Sequence, residues 1–266
     1  MLNIVLYGCN GAMGRETGSL IFEEKDVCVC AGVDSMIKKD QTAMPYMNYP
    51  VFKSLYEIDS CIIDKADVII DFSTAQAADS LLDFVEKKHI PLVMCTTGLK
   101  SRQLKKVEDI SLSSPILRSA NMSLGINLLT KLVAEAAKTL YDSGFDIEII
   151  EKHHRRKLDA PSGTALLLAD SIDAELNNRL GYIYDRSGRH EPRHDDEIGI
   201  SSVRGGGVVG EHEVIFAGMD EVVSIKHTAF SRRIFAQGAL KAAIFLLSKS
   251  NGLYSMNDVI NSSYNV

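Results

Sequence analysis

The sequence lacks the features that mark several classes of protein. Its 29 lysine and arginine residues are outnumbered by 35 aspartate and glutamate residues, which leaves a formal net charge of −6. No global positive field is therefore available to hold nucleic acid or an anionic membrane surface, and we expect neither as a partner. Any site for an anion must be local.

Membrane and disulfide signatures are missing as well. No apolar run approaches the roughly 20 residues needed to cross a bilayer, and the first residues, MLNIVLYGCNGAMG, lack the basic flank and cleavage site of a secretory signal. The five cysteines include no C-x-x-C pair, so we predict neither a disulfide framework nor a metal site. The expectation is a cytoplasmic globular protein without a metal ion.

The first half of the chain alternates short runs rich in Val and Ile with amphipathic segments of helical length. This pattern predicts a parallel sheet with helices on both faces. The predicted strands cover 2–7, 27–33, 67–71, 91–95 and 115–117. The predicted helices cover 12–24, 75–88 and 101–109, with Thr74 and Ser101 as N-caps.

The pattern changes from about residue 125. It predicts helices over 126–141, after Pro161 and over 234–248, with strands over 146–151, 199–203, 212–217 and 222–227. We interpret the polar segment 177–197 as a loop. The expected fold class is α/β: a Rossmann-type doubly wound parallel sheet followed by a second, mixed α/β domain.

A glycine-rich segment, GCNGAMGR at 8–15, lies between the first strand and the first helix, where a dinucleotide-binding loop is expected. Gly8 would permit the tight turn, and Gly14 would let helix and strand pack while helix amides face a pyrophosphate. Asn10 replaces the usual second glycine, and asparagine tolerates a left-handed backbone. A glycine-rich turn without a ligand is the alternative.

Further candidate ligand groups follow the predicted strands. Asp34 is placed to bind ribose hydroxyls, or is a bare surface aspartate. Because Asp34 would repel a ribose phosphate while Lys38 and Lys39 would attract one, the choice between NADH and NADPH stays open. The loops DFS (71–73) and CTTG (95–98) would contact ribose and nicotinamide, or only cap helices.

A basic cluster, KHHRRK at 152–157, places four cations and two histidines together in an acidic protein. The repulsion within such a cluster makes sense if an anionic ligand supplies the missing negative charge. The following PSGTAL places Ser162, Gly163 and Thr164 at a helix start, where amides bind a carboxylate. Because the basic cluster and the helix amides could each bind one acidic group, we predict a ligand with two acidic groups. A solvated face or a nucleic-acid patch is the alternative.

Taken together, these motifs resemble the 4-hydroxy-tetrahydrodipicolinate reductases, also called dihydrodipicolinate reductases. The resemblance spans nearly the whole chain, in the family's order, through GCNGAMGR, the DFS and TTG loops, SANMSLGIN, IEIIEKHHRRKLDAPSGTAL, VRGGGVVGEHEV and SRRIFAQGAL. It implies hydride transfer from NADH or NADPH to a conjugated cyclic imine, with loss of water, giving tetrahydrodipicolinate in diaminopimelate and lysine biosynthesis. Asn10 and Cys95 replace glycines frequent in the family, which bears on cofactor affinity.

The resemblance also implies residue roles. His153 is the proton donor and acceptor, Lys157 is a second proton donor, and His154, Gly163 and Thr164 bind the substrate. The cofactor-binding residues are Gly8, Cys9, Asn10, Gly11, Ala12, Met13, Asp34, Cys95, Thr96, Thr97, Ser119, Ala120, Asn121 and Met122. Hydride addition leaves negative charge on the ring, so a nearby cation or acid stabilises it and supplies a proton. Arg155 and Arg156 are interpreted as charge support or salt-bridge partners.

The implied organisation is a dinucleotide-binding domain (1–123), a domain for substrate binding and oligomerisation (124–232), and a C-terminal helical segment (233–266) that returns to the first domain, assembled as a homotetramer. Two other readings stay open: a Rossmann dehydrogenase for another amino or sugar acid, and a non-catalytic nucleotide- or nucleic-acid-binding module. The spacing of His190 and His194 could indicate a metal pair, but an intervening proline disfavours the helix needed. His212 and His227 receive no role.

Overall fold

The computed structural model describes residues 1–37 and 48–262, so Lys38 and Lys39 lie outside the described residues. The chain divides into two compact units. Unit 1 comprises Met1–Leu124 together with Arg232–Val266, and unit 2 comprises Gly125–Ser231. The roles predicted for the domains 1–123, 124–232 and 233–266 stay predictions.

The described residues form twelve strands and eight α-helices, numbered in chain order. The strands are β1 (Leu2–Tyr7), β2 (Val27–Val33), β3 (Val51–Phe52), β4 (Val68–Asp71), β5 (Leu92–Met94), β6 (Pro115–Arg118), β7 (Asp146–His153), β8 (Gly181–Ile183), β9 (Glu197–Arg204), β10 (Gly210–Ala217), β11 (Val222–Ala229) and β12 (Gly252–Tyr254). The helices are α1 (Ala12–Phe22), α2 (Ser60–Ile63), α3 (Ala78–Lys88), α4 (Ser101–Ser111), α5 (Leu124–Leu140), α6 (Gly163–Glu175), α7 (Arg233–Leu246) and α8 (Met256–Ser262). None of these helices is long and apolar enough to cross a membrane.

Unit 1 is built on a seven-stranded sheet in the order β12-β6-β5-β4-β1-β2-β3, in which every pairing is parallel. The chain passes from β1 to β2 on one side, and β4 then pairs on the other side of β1. The strand order therefore reverses between β1 and β4. In open parallel sheets, ligands bind at the carboxyl ends of the strands at such a reversal.

The first strand explains why helices cover both faces of this sheet. Successive residues of a strand point to opposite faces. Leu2, Ile4 and Leu6 pack into one core with residues of α1, α7 and α8, whereas Val5 and Tyr7 pack into another with residues of α3 and α4. A strand that is apolar on both faces must be covered on both. The predicted doubly wound parallel sheet is confirmed.

Unit 2 is built on a five-stranded mixed sheet in the order β11-β10-β7-β9-β8. Strand β10 is antiparallel to β7 and β11, whereas β9 is parallel to β7 and β8. Alternate residues of β7, including Ile147 and Ile149, form a core with residues of α5 and α6. The intervening residues, such as Glu148, lie on the opposite face. The predicted mixed α/β second domain is confirmed.

Several local predictions were wrong. The N-caps of α3 and α4 are Ala77 and Lys100, not Thr74 and Ser101. Thr74 instead begins a turn, in which its carbonyl accepts a bond from the Ala77 amide. The segment 177–197, predicted as a loop, contains β8 and the first residue of β9. Strands β3, β8 and β12 were not predicted, because each has only two or three residues and, unlike the equally short but fully buried β5, is partly exposed.

Candidate active site

The glycine loop of unit 1 is held in a conformation that side chains would prevent. Gly8 has a left-handed backbone (φ 81°), and a Cβ at this position would lie 2.6 Å from the Phe72 carbonyl oxygen. A Cβ at Gly14 would lie 2.1 Å from the carbonyl oxygen of Gly8. Gly11 is the N-cap of α1 and provides no side-chain cap. The first amides of α1 therefore face the loop without a competing side chain, as an anion site requires.

Asn10 plays a different part from the one expected. The left-handed conformation that asparagine would tolerate is adopted by Gly8 and not by Asn10. The backbone amide of Asn10 instead donates to one carboxylate oxygen of Asp34 (3.1 Å). The other oxygen of Asp34 accepts from the backbone amide of Met36 (2.9 Å). Asp34 thus ties the end of β2 to the glycine loop.

A cleft of about 530 Å³ lies at the carboxyl ends of β1, β2 and β4. Gly8, Gly11 and Asp34, all predicted cofactor ligands, line it together with the DFS loop. Among the described residues that line the cleft, Lys53 is the one cation. Sequence reasoning missed Lys53 because it follows β3, a strand too short to predict.

Two predicted cofactor residues have side chains that face the core. Cys9 is fully buried and Met122 is 3% exposed, and both belong to the core formed with α1 and α7. Burial, with a smaller contribution from Asp34, raises the pKa of the Cys9 thiol to about 12. The side chains of these two residues are therefore not available to a ligand. Ala12 and Met13 form the first turn of α1.

The remaining predicted cofactor loops follow neighbouring strands of the same sheet. Cys95, Thr96 and Thr97 come directly after β5, and the loop 119–122 comes directly after β6. The amide of Cys95 donates to the Asp71 carbonyl (3.0 Å), and the amide of Ser119 donates to the Met94 carbonyl (3.3 Å). Both loops therefore lie at the carboxyl edge, where the reversal of strand order also places the glycine loop.

In unit 2 the basic motif begins at the end of β7. His153 is the last residue of this strand and is 8% exposed. Its Nδ1 lies 2.6 Å from the carboxylate of Glu151, which is fully buried on the same face of the strand. Arg204, the last residue of β9, donates one hydrogen bond to each oxygen of Glu151 (2.7 and 2.6 Å).

These contacts define the protonation of the pair. Burial alone would raise the pKa of Glu151, but hydrogen bonds from Arg204 and His153 outweigh it and lower the pKa to about 2. Burial lowers the pKa of His153, with Glu151 opposing part of that shift. At neutral pH an ionised Glu151 therefore faces a neutral His153. The other ring nitrogen, Nε2, lies 3.2 Å from where a Cβ of Gly210 would be, so the glycine leaves space there.

The cations of the motif separate into different environments. Lys157 is half-buried and pairs with Asp159 (2.9 Å), while its amide donates to the His154 carbonyl (3.1 Å). Lys152 lies on the opposite face of the sheet, paired with Glu211 (2.6 Å). The interpretation that the cluster lacks its own counter-charge is therefore wrong for both lysines.

The two arginines of the motif are exposed. Within the described ranges, no carboxylate forms an ion pair with Arg155 or Arg156, so their interpretation as salt-bridge partners finds no support.

The start of α6 lies beside Glu151. Ser162 is the N-cap, and its hydroxyl accepts from the Ala165 amide (3.2 Å). The amide of Ser162 donates to Glu151 (3.1 Å), and its hydroxyl lies 3.0 Å from Nε2 of His212. Gly163 is exposed, with no atom within 4 Å of where its Cβ would be. A ligand can therefore approach the helix start closely.

Sequence reasoning assigned no role to three members of this network, Glu151, Arg204 and His212. Glu151 could have been found, because it lies two residues before His153 on a predicted strand. Arg204 is opposite His153 only through the pairing of β7 with β9, which no local pattern reports. His212 is buried on β10, and burial lowers its pKa to about 3.

The predicted absence of a metal ion stays a prediction. Over 1–37 and 48–262, no three His, Cys, Asp or Glu side chains are grouped to hold an ion. Of the two histidines considered as a metal pair, His194 has its Nε2 atom 3.5 Å from the Glu191 carboxylate.

Comparisons with known proteins agree with the motifs. The family profiles described as dihydrodipicolinate reductase, N-terminus and C-terminus, match residues 2–122 and 125–260. Relatives named 4-hydroxy-tetrahydrodipicolinate reductase include those of Caldanaerobacter subterraneus subsp. tengcongensis (49% identical over 260 residues) and Clostridium tetani (45% over 262), each covering 98% of both chains. The dipicolinate-bound dihydrodipicolinate reductase from Paenisporosarcina sp. TG-14 matches with a TM-score of 0.77 at 25% identity, covering 96% of this chain and 97% of that one. The resemblance seen in the motifs is confirmed: the chain belongs to the dihydrodipicolinate reductase family.

Proposed function

We propose that this chain is a 4-hydroxy-tetrahydrodipicolinate reductase of diaminopimelate and lysine biosynthesis. The reaction converts the substrate, a reduced nicotinamide nucleotide and one proton into tetrahydrodipicolinate, the oxidised nucleotide and water. The observation that carries the proposal is the group formed by His153, Lys157 and the open start of α6, with His153 bound through Nδ1 to an ionised Glu151. The names of the relatives support the same reaction.

The residues of unit 1 fit a nicotinamide nucleotide, which supplies the hydride when bound. Gly8 and Gly14 keep side chains out of the loop, as close approach of a pyrophosphate requires. The uncapped amides of α1 would hold that phosphate, and Asp34 would accept from the ribose hydroxyls. The choice between NADH and NADPH rests on opposing charges, because Asp34 repels a ribose phosphate whereas Lys53 attracts one and both line the cleft.

The residues of unit 2 fit a small dicarboxylate. We assign one carboxylate to the start of α6, at Gly163 and Thr164, and the other to the side chain of His154 beside Lys157. Helix amides and a cation are two separate anion-binding devices, so together they select a ligand with two acidic groups. The solved relative that holds dipicolinate, a flat ring with two carboxylates, supports this assignment.

His153 and Lys157 are the proton-transfer groups. Negative charge develops on the ring nitrogen and its conjugated neighbour during reduction, and a cation held nearby stabilises it. Lys157 supplies that cation and a proton. His153 exchanges a proton at Nε2, and Glu151 stabilises the imidazolium that forms when the ring is protonated.

The predicted homotetramer concerns the face of the unit 2 sheet opposite α5 and α6. This face exposes Val203 and Val222 at its surface. We propose that copies of the chain associate through it. Native mass spectrometry should give four copies, and a monomer at working concentration would contradict this part of the proposal. A cytoplasmic location stays a prediction.

The reductase assay tests the proposal. Purified protein should oxidise NADH, NADPH or both when freshly generated 4-hydroxy-tetrahydrodipicolinate is supplied. Turnover only with a 2-hydroxy acid or an amino acid would favour another dehydrogenase. Salt-sensitive affinity for nucleic acid without turnover would favour a binding module, because phosphate contacts weaken steeply as salt rises.

A further inference from the structure

We infer that Glu151, clamped by Arg204, is a positioning residue that fixes the tautomer of His153 and, through the same carboxylate, the start of α6. The inference rests on the proposed function, because it takes His153 as the group that exchanges the proton and the α6 start as the substrate site. It assigns roles to Glu151 and Arg204, which lie behind the groups expected to touch the ligand.

The buried carboxylate of Glu151 lies within hydrogen-bond distance of four nitrogen atoms. Oε2 faces Nδ1 of His153 (2.6 Å) and Nη1 of Arg204 (2.7 Å). Oε1 accepts from Nη2 of Arg204 (2.6 Å) and from the Ser162 amide (3.1 Å). An ionised carboxylate only accepts hydrogen bonds, so the nitrogen of His153 that faces it must carry a proton. Neutral His153 is therefore the Nδ1–H tautomer, with its lone pair on Nε2.

The charge of Glu151 is balanced by Arg204. A fully buried carboxylate without a partner would be protonated, and a protonated Glu151 could donate to His153 and allow the opposite tautomer. The two-pronged contact from Arg204 keeps Glu151 ionised. A carboxylate held in this way orients an imidazole and stabilises the imidazolium without taking the proton itself. Arg204 also donates to the Asp159 carbonyl (2.6 Å), which ties it to the loop before α6.

The same network extends to the start of α6. Ser162 is held from two directions, through its amide by Glu151 and through its hydroxyl by His212. The rings of His153 and His212 meet edge to face at 5.1 Å. One buried cluster of side chains therefore holds in place both the ring of His153, which we propose exchanges the proton, and the first turn of α6, which we expect to bind a carboxylate. A Cβ at Gly210 would crowd Nε2 of His153, from which it would lie 3.2 Å away.

The variant Glu151→Gln tests the inference with little change in shape. The amide oxygen can still accept from Ser162, which places the amide NH2 against Nδ1 of His153 and favours the Nε2–H tautomer. We expect kcat to fall by about 100-fold, the size of a general acid–base contribution, with KM for the dicarboxylate nearly unchanged. The acid limb of the pH profile should move to lower pH, because the carboxylate that raises the pKa of His153 is gone.

Nitrogen-15 NMR of histidine-labelled protein reads the tautomer without any turnover. The His153 signal, assigned by its loss in His153→Gln, should report Nδ1–H in the wild type and Nε2–H in Glu151→Gln. The matched control is Glu23→Gln, at the end of α1 in unit 1. Glu23 also accepts two hydrogen bonds from one arginine, Arg233 (3.1 and 2.6 Å). This control should keep the wild-type kcat, pH profile and tautomer.

An Nε2–H signal for His153 in the wild type would overturn the inference, whatever the turnover of the variants. Wild-type kcat in a folded Glu151→Gln would overturn it as well. The failure of the proposed function would look different: a wild type without reductase turnover would remove the proposed reaction, while the tautomer would still decide whether Glu151 positions His153.

Discussion

The candidate sites of the two units use different parts of the residues that form them, the backbone in unit 1 and side chains in unit 2. In unit 1 the site is made of backbone: a left-handed Gly8, a closely packed Gly14 and the first amides of α1. In unit 2 the site is made of side chains fastened by one buried carboxylate, Glu151. A backbone cradle constrains shape and accepts different side chains, such as Asn10 for glycine. A side-chain site depends on the identity of each group, which explains why the basic motif is more diagnostic than the glycine loop.

The largest effect should come from removing the side chains of the unit 2 site. Lys157→Ala and His153→Ala should each lower kcat by about 100-fold or more, because each removes a group that we propose transfers a proton. Titration of nucleotide binding should give a nearly unchanged Kd, since we propose that unit 1 holds the nucleotide. Wild-type turnover in both variants would refute the site.

Gly14→Ala in unit 1 should show the opposite pattern, with nucleotide binding weakened and dicarboxylate binding retained. The added Cβ would collide with the backbone of Gly8 and Cys9, so the loop must shift. We expect nucleotide Kd to rise by roughly 30-fold, equivalent to about 2 kcal/mol, while dipicolinate still binds. Calorimetric titration of both ligands checks this result. Equal losses for the two ligands would break the distinction between the sites.

The buried network should make stability depend on acid. The folded-state pKa of Glu151 is about 2, below its ordinary 4.5, so its contribution is present above 4.5 and is lost as pH falls towards 2. The wild type should exceed Glu151→Gln in free energy of unfolding by roughly 2 kcal/mol above this window, because a lowered pKa means that the folded state stabilises the ionised carboxylate. Urea titrations across the window should show the difference shrinking. A constant difference would contradict the ionised Glu151.

The smallest effect concerns nucleotide preference. Asp34→Ala removes a negative charge from the cleft and a hydrogen bond to the glycine loop. The ratio of kcat/KM for NADPH over NADH should rise by about 5-fold, roughly 1 kcal/mol, because a repulsive charge is lost. A fall in the same ratio in Lys53→Ala would support the assignment of Asp34 and Lys53 to the ribose end of the nucleotide. An unchanged ratio in both variants would place the ribose elsewhere.

Local patterns predicted what depends on neighbouring residues. The bounds of β1 and β2 were predicted correctly, because runs apolar on both faces leave few alternatives. The placement of His153 and Lys157 between β7 and α6 also follows from a continuous motif, although their roles stay predictions. Arg204 and His212 could not be assigned, because strands distant in sequence bring them to Glu151 and Ser162. The N-caps failed at Thr74 because a turn, not the cap residue type, decides where α3 begins.

The most direct test is a crystal structure with a nicotinamide nucleotide and dipicolinate bound together. We expect the carboxylates of dipicolinate at the start of α6 and beside His154 and Lys157. Nε2 of His153 should face the dipicolinate ring, with Nδ1 on Glu151. A structure in which His153, His154 and Lys157 turn away from the ring would contradict the account.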